Sequence, residues 1–371
     1  MSREALFHAF SCKSLTVRNR IAMAPMTRSH SPGGILSDAM CAYYQRRAEG
    51  GVGLIISEGT GINRPGALHD NKVPRFHGEA ELAAWKRAVD AVHAAGGAFA
   101  PQLWHVGSMH TTGDSDVIPD EQLESPSGLA MPGKPRGKVM SDSDIADTIA
   151  VYADAARNAK AIGCDAAEFH GAHGYLIDEF FWPATNERSD RFGGKTLVER
   201  SRFAVEILKA ARAAVGEDFT LIIRLSQWKQ QEYTARLAET PEEMQCWLGA
   251  LSDAGADIFH CSQRRFWEPE FEGSSLNFAG WAKKLTGKPS ISVGSVGLAS
   301  DFIESLAQGK SSELAAEQSL ENLAKRVADG EFDLIAVGRA LLQDPNWVAK
   351  LEQGRDDEFE PFDVRSMMSL S

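Results

Sequence analysis

Several things are missing from this sequence, and each absence narrows the reading. Its five cysteines, Cys12, Cys41, Cys164, Cys246 and Cys261, are odd in number, scattered and free of any CxxC pair. Neither a disulfide framework nor a thiolate metal site is expected, and the thiols read as reduced core filler in a cytoplasmic protein. No apolar run approaches the ~20 residues of a membrane span, and Met1 to Phe7 lacks the long apolar region of a secretion signal. Positive charge is in deficit: 39 Lys and Arg stand against 51 Asp and Glu, a net charge of −12. Nucleic acid is therefore not an expected partner, since phosphate backbones call for a basic surface. No repeat, low-complexity tract or strong linker divides the 371 residues, so one domain over 1–371 is expected, as a monomer or homo-oligomer.

What is present is a regular alternation. Short apolar runs recur at Arg20 to Ala24, Gly53 to Ser57, Phe99 to Trp104, Cys164 to Phe169, Thr220 to Leu225, Ile258 to Ser262, Pro289 to Val293 and Leu334 to Val337. Each is apolar at most positions instead of at every second one, as strands buried on both faces of a parallel sheet are. Helical patterns lie between them. Thr196-Leu197-Val198-Glu199 and Thr240-Pro241-Glu242-Glu243 are capping-box patterns, and apolar residues follow at three- and four-residue spacing. Eight strands alternating with helices predict a closed (β/α)8 barrel of the TIM type. Residues 106–140, rich in Gly, Pro, Ser and Asp, form a long connection after the third strand, expected to be a capping loop or hairpin, with a disordered insertion as the plainer reading. The connection from Gln263 to Trp281 carries five aromatics, which either line a pocket or cover the barrel edge.

In such barrels the working residues sit where strands end. The fourth strand runs into Phe169-His170-Gly171-Ala172-His173-Gly174-Tyr175, a turn crowded with hydrogen-bond donors. Gly294-Ser295 and Gly338-Arg339 follow the seventh and eighth strands, the place where barrels hold a phosphoryl group. His170 and His173 alone do not make a catalytic zinc site, which wants a third protein ligand, so no metal is expected. Arg224 ends the fifth strand and needs an anionic or electron-rich partner, with Glu58 or Glu168 as plain salt-bridge alternatives. Gln102 can donate and accept, as the amide-like edge of a heterocycle requires, or simply cap its strand. A phosphate site, a glutamine, a central arginine and small residues after strands one and two suit a flat heterocyclic cofactor, and flavin mononucleotide (FMN) fits that inventory.

These motifs resemble the old yellow enzyme family of FMN-dependent ene-reductases, including its 12-oxophytodienoate reductase-like members. The resemblance covers almost the whole chain, from RNRIAMAPMTR through SEGT, PQLWHVG, FHGAHGYLIDEFFWPATNERSDRFGG, IIRLS and SVGSVG to FDLIAVGRALLQDP. It implies that Pro25, Met26 and Thr27 pack on the flavin, that Gly59, Gln102 and Arg224 flank its pyrimidine edge, and that Gly294, Ser295, Gly338 and Arg339 hold its phosphate. It implies further that His170 and His173 bind the carbonyl oxygen of an α,β-unsaturated substrate, that Tyr175 donates a proton, and that Trp104 walls the pocket. NADPH or NADH would be the reductant and an electrophilic alkene, carbonyl- or nitro-activated, the substrate, with one flavin and no iron–sulfur cluster. Ser108 after the QLWHxG motif, Gln227 to Gln231 after strand five and Gln263 to Phe266 after strand six depart from the family's pattern. Arg264 and Arg265 read either as surface charge or as a grip on a nucleotide phosphate. The competing reading, a flavin-free phosphate-binding lyase or aldolase barrel, needs a Schiff-base lysine or a metal at a strand end.

Overall fold

Eight parallel strands close on themselves in a computed structural model that describes residues 3–109, 119–300, 309–315 and 317–370. They are β1 (Ile21–Met23), β2 (Leu54–Gly61), β3 (Ala98–Trp104), β4 (Ala166–His173), β5 (Thr220–Lys229), β6 (Ile258–Ser262), β7 (Ser290–Val293) and β8 (Leu334–Val337). Each pairs in parallel with the next, and β8 pairs with β1. Helices stand between successive strands, as the capping and periodic patterns require.

The continuous apolar runs have a physical reason. One face of each strand fills the barrel interior with Ala22, Leu54, Ile56, Ala100, Ile222, Ile258, Ile291 and Leu334, while the other packs on the surrounding helices through residues such as Ile55, Phe99, Phe169 and Phe259. A hairpin that the sequence reading did not anticipate, Phe10–Cys12 with Leu15–Val17, closes the lower end by adding Leu15 and Val17 to the interior cluster. Three strands outrun their expected ends, β2 running on to Gly61. β4 continues to His173 and β5 to Lys229, and the two remain paired there, His173 opposite Lys229 beyond a register shift after Gly171.

The box at Thr196 is complete: its hydroxyl accepts from the Glu199 N–H and the Glu199 carboxylate accepts from the Thr196 N–H. The one at Thr240 is half formed. Its hydroxyl accepts from Glu243 N, but the Glu243 carboxylate takes the Glu239 N–H instead, one residue upstream. After β3 the chain builds a small cap. Leu129–Met131 pairs antiparallel with Lys134–Pro135, and Glu124–Ser125 pairs with Lys138–Val139. Residues 110–118 of the expected cap lie outside the described residues. The aromatics from Phe266 to Trp281 belong to the core that covers the barrel edge, and none lines the cavity described next.

Candidate active site

A cavity of about 370 Å³ opens where the strands end. Pro25, Met26 and Thr27 line it after β1, Gly59 from β2, Gln102 and Trp104 from β3, and His170, His173 and Tyr175 from β4. Arg224 lines it from β5, Gly294 and Ser295 after β7, and Gly338 and Arg339 after β8. Every residue that the resemblance assigns to cofactor, substrate or proton delivery is brought to this one space.

The turn after β4 is built from left-handed backbone. His173 has φ 67° and Gly174 φ 84°. A side chain at Gly174 would stand 2.0 Å from Gln231 Oε1, so glycine answers both conformation and space. His173 pays for its own conformation with contacts: its backbone N–H donates to Ser226 Oγ at 2.9 Å, its Nε2 lies 2.8 Å from Ser262 Oγ, and its ring stacks on Trp228 at 4.6 Å between centroids. His170 meets Tyr175 edge-on at 4.8 Å, and Tyr175 meets Trp104 edge-on at 4.9 Å. Gly59 leaves room for that indole, since a Cβ there would stand 2.6 Å from Trp104 Cε3.

Electrostatics favour neutral imidazoles. Burial, then the Arg224 guanidinium, pushes the pKa values of His170 and His173 well below the ordinary histidine range. Burial likewise raises the Tyr175 phenol, against the lowering effect of a hydrogen bond from Gln230. Arg224 is 7 % exposed and makes no salt bridge to Glu58 or Glu168, which corrects that plain alternative. Those carboxylates are occupied elsewhere. Glu168 accepts from Gln102 Nε2 at 2.7 Å and His260 Nδ1 at 2.6 Å, and Glu58 accepts from the Arg28 N–H at 2.9 Å. Arg224 Nε has no hydrogen-bond partner among the described residues.

Of the segment Gln227 to Gln231, Trp228 within β5 and Gln230 just past it line the cavity, and three further lining residues were not anticipated: Tyr233 beyond β5, Ser262 ending β6, and Met367 near the C-terminus. Arg224, Trp228 and Gln230 fall at even spacing on one face, and that two-residue period carried past Leu225 was the available signal. Arg264 lines the cavity with its guanidinium 4.6 Å over the Tyr233 ring, whereas Arg265 pairs with Glu268. Ser108 is buried, with its N–H donating to Glu179 Oε1 and its hydroxyl to the Arg136 carbonyl. Lys229 ends β5, but it pairs with Asp178 and does not line the cavity.

The residues present suit FMN. Arg224 is a buried cation whose Nε has no partner among the described residues, and Gln102, with Nε2 already on Glu168, is held in one orientation. At the far end, Ser295 adopts φ 50°, a Cβ at Gly338 would press to 3.3 Å from Met26 Sδ, and Arg339 donates to the Ser300 carbonyl. A heterocycle with an anionic edge and a phosphate would meet each of these groups. Among the described residues no group of three or more His, Cys, Asp or Glu side chains could hold a metal, and no helix is long and apolar enough to cross a membrane.

A profile of the NADH:flavin oxidoreductase / NADH oxidase family matches residues 5–358. NADH oxidase of Thermoanaerobacter brockii is 32% identical over 95% of this chain, which spans about half, 51%, of that relative. 12-Oxophytodienoate reductase 7 of rice, Oryza sativa subsp. japonica, is 38% identical over 60% of the chain and 58% of its own length. The solved structure of the old yellow enzyme homologue from Zymomonas mobilis superposes with a TM-score of 0.78 at 25% identity, covering 99% of this chain and 97% of that one.

Proposed function

Because the chain belongs to the NADH:flavin oxidoreductase / NADH oxidase family of FMN oxidoreductases, we propose that it reduces the activated C=C bond of α,β-unsaturated carbonyl or nitro compounds with NADH or NADPH. FMN, when bound, supplies the redox chemistry, relaying a hydride equivalent from the nicotinamide nucleotide to the β-carbon of the alkene. Pro25, Met26 and Thr27 would pack on it, Gly59, Gln102 and Arg224 would meet its pyrimidine edge, and Gly294, Ser295, Gly338 and Arg339 would hold its phosphate.

The observation that carries the reading is the convergence of His170, His173 and Tyr175 on one cavity beside Arg224. The Ala172 N–H points at His170 Nδ1 at 3.4 Å, which leaves the His170 proton on Nε2. His173 Nε2 lies 2.8 Å from Ser262 Oγ, and we assign the hydroxyl as donor, which puts that ring's proton on Nδ1. Two neutral imidazoles then offer N–H groups to a substrate oxygen, and they stabilise the negative charge that grows there as the β-carbon is reduced. Tyr175 gives the α-carbon its proton. Trp104 and Trp228 wall the space and keep water from the developing charge. Lys229, turned to Asp178, lends no support to a Schiff-base aldolase.

The deciding experiment is an anaerobic panel. Enzyme reduced with NADPH or NADH is mixed with cyclohexenone, maleimide and a nitroalkene, and return of the oxidised flavin spectrum is followed. Reoxidation by activated alkenes is expected. Reduced enzyme that none of them reoxidises would overturn the proposal.

A further inference from the structure

Four of the five residues that depart from the family's pattern after the expected end of strand five are engaged with the histidine turn or its support. Trp228 stacks on His173, Lys229 pairs with Asp178, and Gln231 Nε2 donates to the Gly174 carbonyl at 3.2 Å. Asp178 in turn accepts from the Gly174 N–H at 2.7 Å. Gln227 braces the following segment, accepting from the N–H groups of Leu237 and Ala238. Gln230 is tied to both ends of the turn: its backbone N–H reaches the His173 carbonyl at 3.4 Å, and its side-chain Nε2 donates to Tyr175 Oη at 3.1 Å.

We infer that Gln230 is a positioning residue for the Tyr175 proton, holding the phenol oxygen so that its hydrogen points into the cavity. The inference rests on the proposed role of Tyr175 as acid. A phenol oxygen both donates and accepts. With Gln230 N–H occupying the acceptor side, the O–H is left to point elsewhere, and His170 and Trp104 meet the ring edge-on and hold it in place. During transfer the O–H bond breaks, the C–H bond at the α-carbon forms, and the phenolate left behind keeps the Gln230 N–H as its donor until solvent returns a proton. Gln230 itself touches no reacting atom.

The test uses FMN-loaded enzyme and separates the two half-reactions by stopped flow. Gln230→Leu removes the donor. Gln230→Glu keeps the size but offers an acceptor that draws the phenol hydrogen towards itself. In both variants reoxidation by cyclohexenone is expected to slow about tenfold relative to reduction by NADPH, the worth of one hydrogen bond. Tyr175→Phe alone should slow reoxidation by about 10²- to 10⁴-fold. Adding Gln230→Leu to Tyr175→Phe should then cost nothing more, because the oxygen through which Gln230 acts is gone. A Gln230→Leu loss of equal size with and without Tyr175→Phe marks a structural role and sinks the inference, as does equal slowing of both half-reactions. If Tyr175→Phe slows reoxidation while both Gln230 variants match the parent, Gln230 is excluded and the acid stands. If Tyr175→Phe has no effect, the acid assignment falls and the inference falls with it.

Discussion

Lys229 Nζ lies 2.7 Å from Asp178 Oδ1, and neither side chain has any exposure to solvent. The pair joins the end of β5 to the helix Leu176–Phe181 that begins just after Tyr175. Removing one member of a buried pair leaves the other charge uncompensated, at a cost of about 3–5 kcal/mol. Lys229→Met is therefore expected to lower the unfolding free energy by that amount in urea denaturation. A loss below about 1 kcal/mol would mean that Asp178 is fully served by the Gly174 N–H.

The pH dependence of substrate binding follows from the neutral imidazoles. His170 and His173 titrate well below the ordinary histidine value of about 6.5, chiefly through burial. Both are uncharged throughout the neutral range, so the KM for cyclohexenone should be flat from about pH 6 to 8. A transition near pH 6.5 that disappears in His173→Ala would show a charged imidazole instead.

A different carboxylate governs acid stability. Glu124, 1 % exposed in the cap, is pushed up by burial, but the His105 ring 3.3 Å away and hydrogen bonds from Arg64 outweigh that and hold it at about 2. Its folded value lies below the unfolded 4.5. The stabilisation is thus complete above about pH 4.5 and is lost as pH falls through about 2, amounting to at most ~3 kcal/mol. Glu124→Gln should flatten the dependence of unfolding free energy on pH in that window, and a slope identical to the parent's would rule the cluster out.

These features differ in how legible they were. The eight strands were readable because both faces of each are buried, so apolarity runs unbroken through Ile222 and Ile223 or Leu334 to Val337. The cavity residues were readable because strand ends bear the polar groups. β5 misled because Ser226, Gln227, Trp228 and Lys229 look like a loop; the backbone ladder opposite His173 keeps them extended, and that partner lies far away in sequence. The pairing of Glu168 with His260 was hidden for a related reason, since each sits inside an apolar run and finds the other only across the barrel interior. No spacing within one segment reports such a pairing.

Arg339 lends itself to a direct measurement of cofactor retention. It lines the cavity beside Gly338 and is 7 % exposed. A charge-assisted contact to phosphate contributes about 1.5–3 kcal/mol, so Arg339→Ala should weaken FMN binding by roughly 10- to 150-fold. Fluorescence of released FMN, read beside far-ultraviolet circular dichroism of the barrel, gives the answer. A folded variant that retains FMN as tightly as the parent would move the phosphate away from this arginine.

The overlong fifth strand has an evolutionary consequence. Trp228, which lines the cavity, and Gln230, which reaches the tyrosine, flank Lys229, whose pairing opposite His173 sets the register at the end of β5. A one-residue insertion or deletion there exchanges the faces of every residue beyond it. On the proposed mechanism, substrate range and proton delivery would therefore be inherited together. Grafting the segment from a relative would transplant both traits at once, and selection for a roomier pocket can proceed only by substitution within the existing frame.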